Sequence, residues 1–210
     1  MTVHSVAPPV LEQRRSGRWK MLLVLLVCAA PVIASYFTYF VVRPQARTNY
    51  STLITPTRTM PDLGLRQLDG QPVATADLRG QWLLVAVGAA GCDAACDKRL
   101  FMQRQLREML GREADRLDKL WLVTDGQQPA PALRAAAEAA PAMRILQADG
   151  DAVERWLSAE PGHRLDEHLY IVDPMGEWMM RVPAQPDPAK VKRDLDKLMR
   201  ASGGWDKPGR

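Results

Sequence analysis

The chain has 210 residues, of which 25% are charged and 47% hydrophobic, and it carries a formal net charge of +4. These values are ordinary for one folded domain with an additional segment, and they exclude two large domains. The basic residues are spread along the chain and form no dense block with aromatic residues, so the sequence argues against nucleic-acid binding.

The first element is an uncharged stretch of 22 residues, 21–42, preceded by the basic stretch 14–20. About 20 apolar residues cross the hydrocarbon core of a bilayer. We therefore predict one uncleaved transmembrane helix over 21–42. Because the flank richer in Lys and Arg stays inside, residues 1–20 are expected in the cytoplasm and the remaining chain outside it. A cleaved signal peptide is the main alternative, but its apolar core is usually shorter. Cys28 is expected to face lipid or to pack.

The segment after the helix, residues 43–60, is polar and shows no clear period. We interpret it as a linker that holds the next domain away from the membrane. That domain is predicted over 61–200, and residues 201–210 are expected to form a flexible tail.

The first half of the domain alternates between strand and helix patterns. The turn pair Asp69-Gly70 predicts a hairpin over 63–80. The apolar runs 81–88 and 119–125 predict strands buried on both faces. Between them, apolar residues at helical spacing predict a helix over 92–110. A strand–helix–strand unit of this kind indicates two parallel strands.

The second half predicts helices over 131–140 and 152–159, a hairpin over 168–182, and a final helix over 187–200. The fold class is therefore α/β, with a mixed sheet flanked by helices and preceded by one transmembrane helix. Sites in such sheets are built where strands end and helices begin.

Cys92 and Cys96 stand at such a junction, four residues apart. The amino end of a helix lowers the pKa of a thiol, and the resulting thiolate is both a nucleophile and a ligand for soft metals such as Cu(I). The two cysteines are thus candidate catalytic residues and candidate metal ligands. A plain structural disulfide remains an alternative.

Two of the three histidines, His163 and His168, precede the penultimate strand. We expect their loop to return to the same edge of the sheet as the cysteines. His168 is the candidate third metal ligand and His163 a less favoured one. A hydrogen-bonded loop histidine is the alternative for both.

Several motifs between Pro61 and Leu198 occur together: L-x-x-x-DG-x-x-V, DLRGQWLLVAVG, C-x-x-x-C, LVTD and YIVDPMGEW. The chain thereby resembles the Sco/SenC family of thioredoxin-like, membrane-anchored copper proteins, as a divergent member. The resemblance implies a thioredoxin-like domain, with Cys92, Cys96 and His168 holding copper. It also implies copper delivery to, or thiol reduction of, the binuclear copper centre of cytochrome c oxidase.

The leading hypothesis is therefore a Sco-like assembly factor, more a copper chaperone than a turnover enzyme. It would sit in a bacterial inner membrane with its domain in the periplasm, and its partner would be a cytochrome c oxidase subunit or another thiol or copper protein. One alternative is a periplasmic thiol–disulfide oxidoreductase in which Cys92 attacks and Cys96 resolves. The other is a non-catalytic scaffold whose cysteines form a structural disulfide.

Overall fold

The structure is a computed structural model that describes residues 15–42 and 49–206. The chain divides into two compact units at Arg47. The first unit contains α1 (Arg15–Phe37), which continues as a π-helical turn over Thr38–Val42. Residues 1–14 of the predicted cytoplasmic tail lie outside the described residues.

The helix of the first unit is apolar over Gly17–Phe40, with a mean hydropathy of 2.2. Its large apolar side chains are exposed around the whole helix, and Cys28 among them is a free thiol. A helix that is apolar on every side belongs either in a protein core or in a bilayer. Gly17–Phe40 is long enough to cross a membrane, which confirms the predicted candidate transmembrane helix.

Residues 49–206 contain six strands that form one mixed sheet in the order β1-β6-β5-β2-β3-β4. The strands are β1 (Thr52–Thr59), β2 (Trp82–Gly88), β3 (Leu117–Val123), β4 (Met143–Gln147), β5 (Leu169–Val172) and β6 (Glu177–Val182). Strands β2, β3 and β4 run parallel, whereas β5 is antiparallel to β2 and β6, and β1 is antiparallel to β6.

Helices cover both faces of the sheet. They are α2 (Ala94–Glu108), α3 (Pro131–Glu138), α4 (Gly150–Trp156) and α5 (Pro188–Ala201). One apolar core includes residues of α2 and α5, and a second core, on the other face, includes residues of α4. Every residue of β2 and β3 is buried. The predicted α/β class, both buried strands and the helices over the second half are confirmed.

The structure corrects the predicted linker. Strand β1 falls within residues 43–60 and pairs with β6, so the folded unit begins well before residue 61. The backbone N–H groups of Tyr50 and Ser51 donate to the carboxylate of Asp194 on α5, at 3.2 and 2.7 Å. The strand is mostly exposed, and its sequence is too polar to form the apolar pattern that predicts a buried strand. Residues 43–48 lie outside the described residues.

The predicted hairpin over 63–80 is reduced to a short antiparallel bridge around its turn, with Arg66 opposite Pro72. Its backbone bonds include Gly70 N–H to the Gln67 carbonyl and Val73 N–H to the Leu65 carbonyl, both 2.9 Å. No named strand lies in this segment of the described chain. The backbone of Arg66 also pairs with Gln147 of β4, in both directions at 3.0 and 2.8 Å. Strand β4, which the sequence patterns did not predict, therefore lies beside this segment and is bonded to it through Arg66.

The predicted flexible tail is also corrected, because residues 202–206 pack on the domain. The Arg116 guanidinium donates to both carboxylate oxygens of Asp206, at 2.8 and 2.7 Å, and to the carbonyl of Ser202 at 3.0 Å. Trp205 stacks on Trp82 with ring centroids 6.3 Å apart. The hydrogen bond from Arg116 holds the pKa of the Asp206 carboxyl below its usual range. Residues 207–210 lie outside the described part.

We predict that Asp206→Asn lowers the free energy of unfolding by about 1–3 kcal/mol at pH 7, because a hydrogen bond to a charged group is lost in a buried position. The folded-state pKa of Asp206 is depressed, so its stabilisation is full above the ordinary Asp pKa of about 3.9 and disappears as the pH falls through the folded-state pKa.

Urea unfolding of the full chain at pH 7 and pH 3, followed by tryptophan fluorescence, measures this difference. Asp196→Asn serves as the matched control, since Asp196 forms an i,i+4 pair with Lys192 worth only about 0.3–0.5 kcal/mol. Equal losses for the two variants at pH 7 would contradict the anchoring role of Asp206.

Candidate functional site

The candidate site begins where β2 ends. Beyond Gly88 the chain turns, and the N–H of Ala90 donates to the carboxylate of Asp125 at 3.0 Å. Asp125 follows β3, which runs parallel to β2. Because parallel strands end at the same edge of a sheet, this bond fastens the cysteine loop to the neighbouring strand.

Cys92 and Cys96 form a disulfide with Cα atoms 5.1 Å apart. Cys92 lies two residues before α2 in a left-handed backbone conformation, with φ of +30°, so the pair does not span a regular helical turn. Cys96 lies in the first turn of α2 and is buried, whereas Cys92 is only half-buried. An incoming thiol or disulfide therefore reaches Cys92 more easily than Cys96.

The first turn of α2 is capped by Asp93. Its carboxylate accepts a hydrogen bond from the Cys96 N–H at 2.8 Å. This bond satisfies one of the free amides at the helix start and places a negative charge at the positive end of the helix dipole. The same charge lies between the two cysteines in sequence and opposes formation of a thiolate. Asp93 thus fixes the loop geometry while moderating thiol activation.

Gln103, on α2, is a site-supporting residue that the sequence patterns missed. It is fully buried. Its side-chain amide donates to the carbonyls of Leu84 and Leu120, at 2.5 and 3.0 Å. These two carbonyls belong to β2 and β3, so Gln103 ties the cysteine helix to both central strands. The available signal was a lone polar residue among the apolar positions of a predicted helix.

His168 is a buried structural histidine. Its Nδ1 lies 2.9 Å from the Val182 carbonyl, and its Nε2 accepts from the Glu160 N–H at 3.2 Å. Burial lowers the pKa of the ring, which is only partly offset by the hydrogen bond to Val182. The ring is therefore neutral near pH 7 with its proton on Nδ1, and backbone groups occupy both nitrogens.

His163 is exposed, and its Nδ1 lies 2.5 Å from the carboxylate of Glu167. The short 3-10 helix Leu165–Glu167 contacts α2, so the histidine loop does return toward the cysteine helix. Nevertheless, no group of three His, Cys, Asp or Glu side chains within residues 15–42 and 49–206 is placed to hold a metal ion. The structure brings Cys92 and Cys96 together, but it does not assemble them with His168 or His163.

A cleft of about 500 Å³ lies at the same edge of the sheet. Its lining includes Gly88 and Ala89 at the end of β2, Thr124 after β3, and the charged residues Glu154 and Arg164. Clefts of this size, at the carboxyl ends of parallel strands, are the usual places for binding in open α/β sheets.

Two family models match the sequence. The model described as the transmembrane-like, thioredoxin-like, C-terminal domain matches residues 82–202, and the transmembrane-like, N-terminal domain matches residues 11–42. Among curated proteins, none matches the sequence significantly. The two matches cover the predicted apolar helix and most of the sheet domain.

Solved structures of Sco proteins are similar in fold. Apo Sco1 from Thermus thermophilus has a TM-score of 0.56 at 18% identity, over 73% of this chain and 99% of that chain. Yeast Sco1 with copper bound has a TM-score of 0.53 at 16% identity, over 67% and 90%. BsSco has a TM-score of 0.51 at 15% identity, over 69% of this chain and 95% of that chain. It is a member of the Sco family of cytochrome c oxidase assembly proteins in which a disulfide switch was identified. These similarities confirm the predicted thioredoxin-like, Sco-like fold.

We predict that Asp93→Ala lowers the free energy of unfolding of the oxidised chain by about 1 kcal/mol, because the helix loses its cap. Asp93→Asn keeps an accepting side-chain oxygen and should cost less. Asp97→Ala is the matched control, since Asp97 is an exposed carboxylate in the same turn. Urea unfolding measures all three, and a loss for Asp97→Ala as large as that for Asp93→Ala would contradict the capping role.

Proposed function

Because this chain belongs to the transmembrane-like, thioredoxin-like family, we propose that Cys92 and Cys96 are a redox couple that exchanges disulfides with a client protein outside the cytoplasm. The observation that carries this proposal is the disulfide between a half-buried and a buried cysteine at the start of α2. A more accessible attacking sulfur beside a protected resolving sulfur suits two-step exchange, because access controls which sulfur reacts first.

The exchange proceeds in two displacements. In the reduced form, the Cys92 thiolate attacks a sulfur of a client disulfide, a mixed disulfide forms, and the other client sulfur leaves as a thiolate. Cys96 then loses its proton and attacks the Cys92 sulfur, so the second client thiolate leaves. The client gains two electrons and the Cys92–Cys96 disulfide is closed, which is the state of the structure. The reverse sequence oxidises a client dithiol.

The amino end of α2 assists the first displacement. Its backbone N–H groups stabilise negative charge on nearby sulfur, and Asp93 partly cancels this effect through the bond to the Cys96 N–H. The result is a thiol of intermediate reactivity. A thiol of lower pKa leaves a mixed disulfide faster, but it is a weaker nucleophile. An intermediate pKa therefore suits a protein that must both form and release mixed disulfides.

Copper transfer to a cytochrome c oxidase subunit is the second candidate function. Two likenesses in fold favour it. One is to yeast Sco1, solved with copper bound, and the other is to BsSco, a member of the Sco family of cytochrome c oxidase assembly proteins. The residues fit only part of the predicted site: two reduced thiolates suit Cu(I), but His168 bonds backbone groups through both ring nitrogens. We therefore propose copper as cargo held by Cys92 and Cys96 alone.

For location, we propose a bacterial inner membrane crossed by residues 21–42, with residues 1–20 in the cytoplasm and the thioredoxin-like domain in the periplasm. The length and hydropathy of the helix support the anchor. The basic residues before it support the orientation, since Lys and Arg accumulate on the inner side. An oxidising compartment is also consistent with a closed disulfide.

In a Cys28→Ser background, we predict that the Cys96→Ser variant reacts with an aromatic disulfide reagent about tenfold faster than the Cys92→Ser variant, because access controls the rate. The double variant Cys92→Ser/Cys96→Ser is the blank. Equal rates would contradict the assignment of Cys92 as the attacking residue.

The reduction potential of the full chain separates a working couple from a structural disulfide. We expect a value more oxidising than about −300 mV, because structural disulfides of exported proteins lie below that value. Equilibration with dithiothreitol, with the cysteines quantified by alkylation, measures it. A potential below −300 mV would overturn the redox proposal.

For the copper candidate, we predict that the reduced chain binds one Cu(I) in competition with a chromophoric chelator. Cys92→Ser should abolish this binding, whereas His168→Gln should leave it unchanged, because the His168 nitrogens are already bonded. Binding that survives Cys92→Ser would exclude the two-thiolate site, and binding lost in a folded His168→Gln variant would restore His168 as a ligand.

A further inference from the structure

A second cleft, of about 510 Å³, lies between α2 and α3 over the parallel strands. Its walls are mainly apolar and include Phe101 on α2, Leu133 and Ala137 on α3, and Met143 at the start of β4. Phe101 is 52% exposed, which is unusual for a large aromatic side chain on a helix that packs against a sheet. The cleft therefore offers apolar surface that the domain itself leaves uncovered.

Lys119 of β3 forms part of the lining of this cleft. Only 2% of its surface is exposed, in a strand that is buried throughout. Lysine is almost never fully buried unless it is paired. Among the described residues, the ammonium of Lys119 has no hydrogen bond or ion pair. The Lys119 amine therefore borders the cleft without a hydrogen bond or ion pair from the described part of the domain.

The charged residues near Lys119 come from α2. The pKa of Lys119 is lowered to about 8, mainly by burial and also by the positive charges of Arg107 and Arg104, whereas the negative charge of Glu108 opposes the shift. Arg107 is already bonded to the Leu117 carbonyl at 2.9 Å and to Asp115 at 3.2 Å.

The guanidinium of Arg104 lies over the Phe101 ring at 5.2 Å. At the α2 wall, Asp97 and Lys98 carry opposite charges. The cleft-lining residues of α3 and β4 are uncharged. The interior of the cleft is consequently positive at neutral pH, with apolar walls.

We propose that this cleft binds an aliphatic monocarboxylate, whose carboxylate pairs with Lys119 and whose chain lies against Phe101, Leu133 and Met143. One cation matches one carboxylate, and opposite charges attract each other more strongly near a protein surface than in bulk water. The volume lies within the range of small-molecule sites, roughly 300–1,000 Å³. The lining of the cleft includes neither Cys92 nor Cys96, and the proposal does not depend on the function proposed for the cysteines.

The test is isothermal titration of the full chain, in lipid nanodiscs, with sodium octanoate, after subtraction of empty nanodiscs. We expect saturable one-to-one binding at pH 7, weakened at least tenfold by Lys119→Met, which keeps an apolar side chain of similar length. Lys190→Met, on exposed α5 surface, is the matched control and should bind as the wild type does. 1-Octanol has the same chain length as octanoate but no carboxylate. The wild type and Lys119→Met should therefore bind it with equal and weak affinity.

Two further measurements keep the proposal open to refutation if Lys119→Met unfolds. Ala137→Phe, on the cleft wall, should also abolish octanoate binding while leaving the Cys92–Cys96 disulfide and its reduction potential unchanged. Raising the pH well above 8 should weaken binding as the Lys119 amine loses its proton. Absence of saturable octanoate binding by the wild type, or equal affinity in a folded Lys119→Met chain, would overturn the proposal.

Discussion

The parallel pairing of β2 with β3 is the constraint on which the rest of the domain depends. Both strands are buried along their whole length, so their pairing is set by apolar packing on two faces at once. Because they are parallel, the connection between them must cross the sheet, and α2 supplies it. The loop before α2 therefore has to carry the cysteines to the edge where β3 also ends. Ala90 and Asp125 complete that link with one hydrogen bond.

The position of α2 explains why one helix serves two possible sites. At its start, the Asp93 cap and the disulfide fix the first turn. Along its length, Gln103 bonds carbonyls of both central strands. Its outward side then forms one wall of the cleft above Lys119. A substitution that shifted α2 against the sheet would therefore disturb the redox loop and the cleft together.

His168 shows how burial decides between two roles for the same side chain. A histidine near a cysteine pair is chemically able to bind copper, but here both ring nitrogens are used by the backbone of Glu160 and Val182. Releasing them would leave buried polar groups without partners, which costs free energy. The sulfurs of Cys92 and Cys96 differ in this respect, because no backbone group of the described residues depends on them for a hydrogen bond. The function proposed for this domain consequently rests on the two sulfurs.

The sequence by itself determined the apolar helix, both buried strands, the capped final helix and the cysteine pair at a strand–helix junction, because each is a local pattern of apolar period, turn residues or spacing. Only the tertiary structure decided the parts that depend on distant partners. Strand β1 is mostly exposed and exists through pairing with β6, and the 202–206 segment is held by Arg116, which lies 86 to 90 residues earlier in the chain. The same holds for His168, because both of its ring nitrogens bond backbone groups 8 and 14 residues away in the chain. The apolar run 119–125 predicted the burial of Lys119, but not that its amine has no hydrogen bond or ion pair among the described residues. Hydrogen bonding between residues far apart in the chain leaves no local period in a sequence, and for that reason it appears only when the chain is folded.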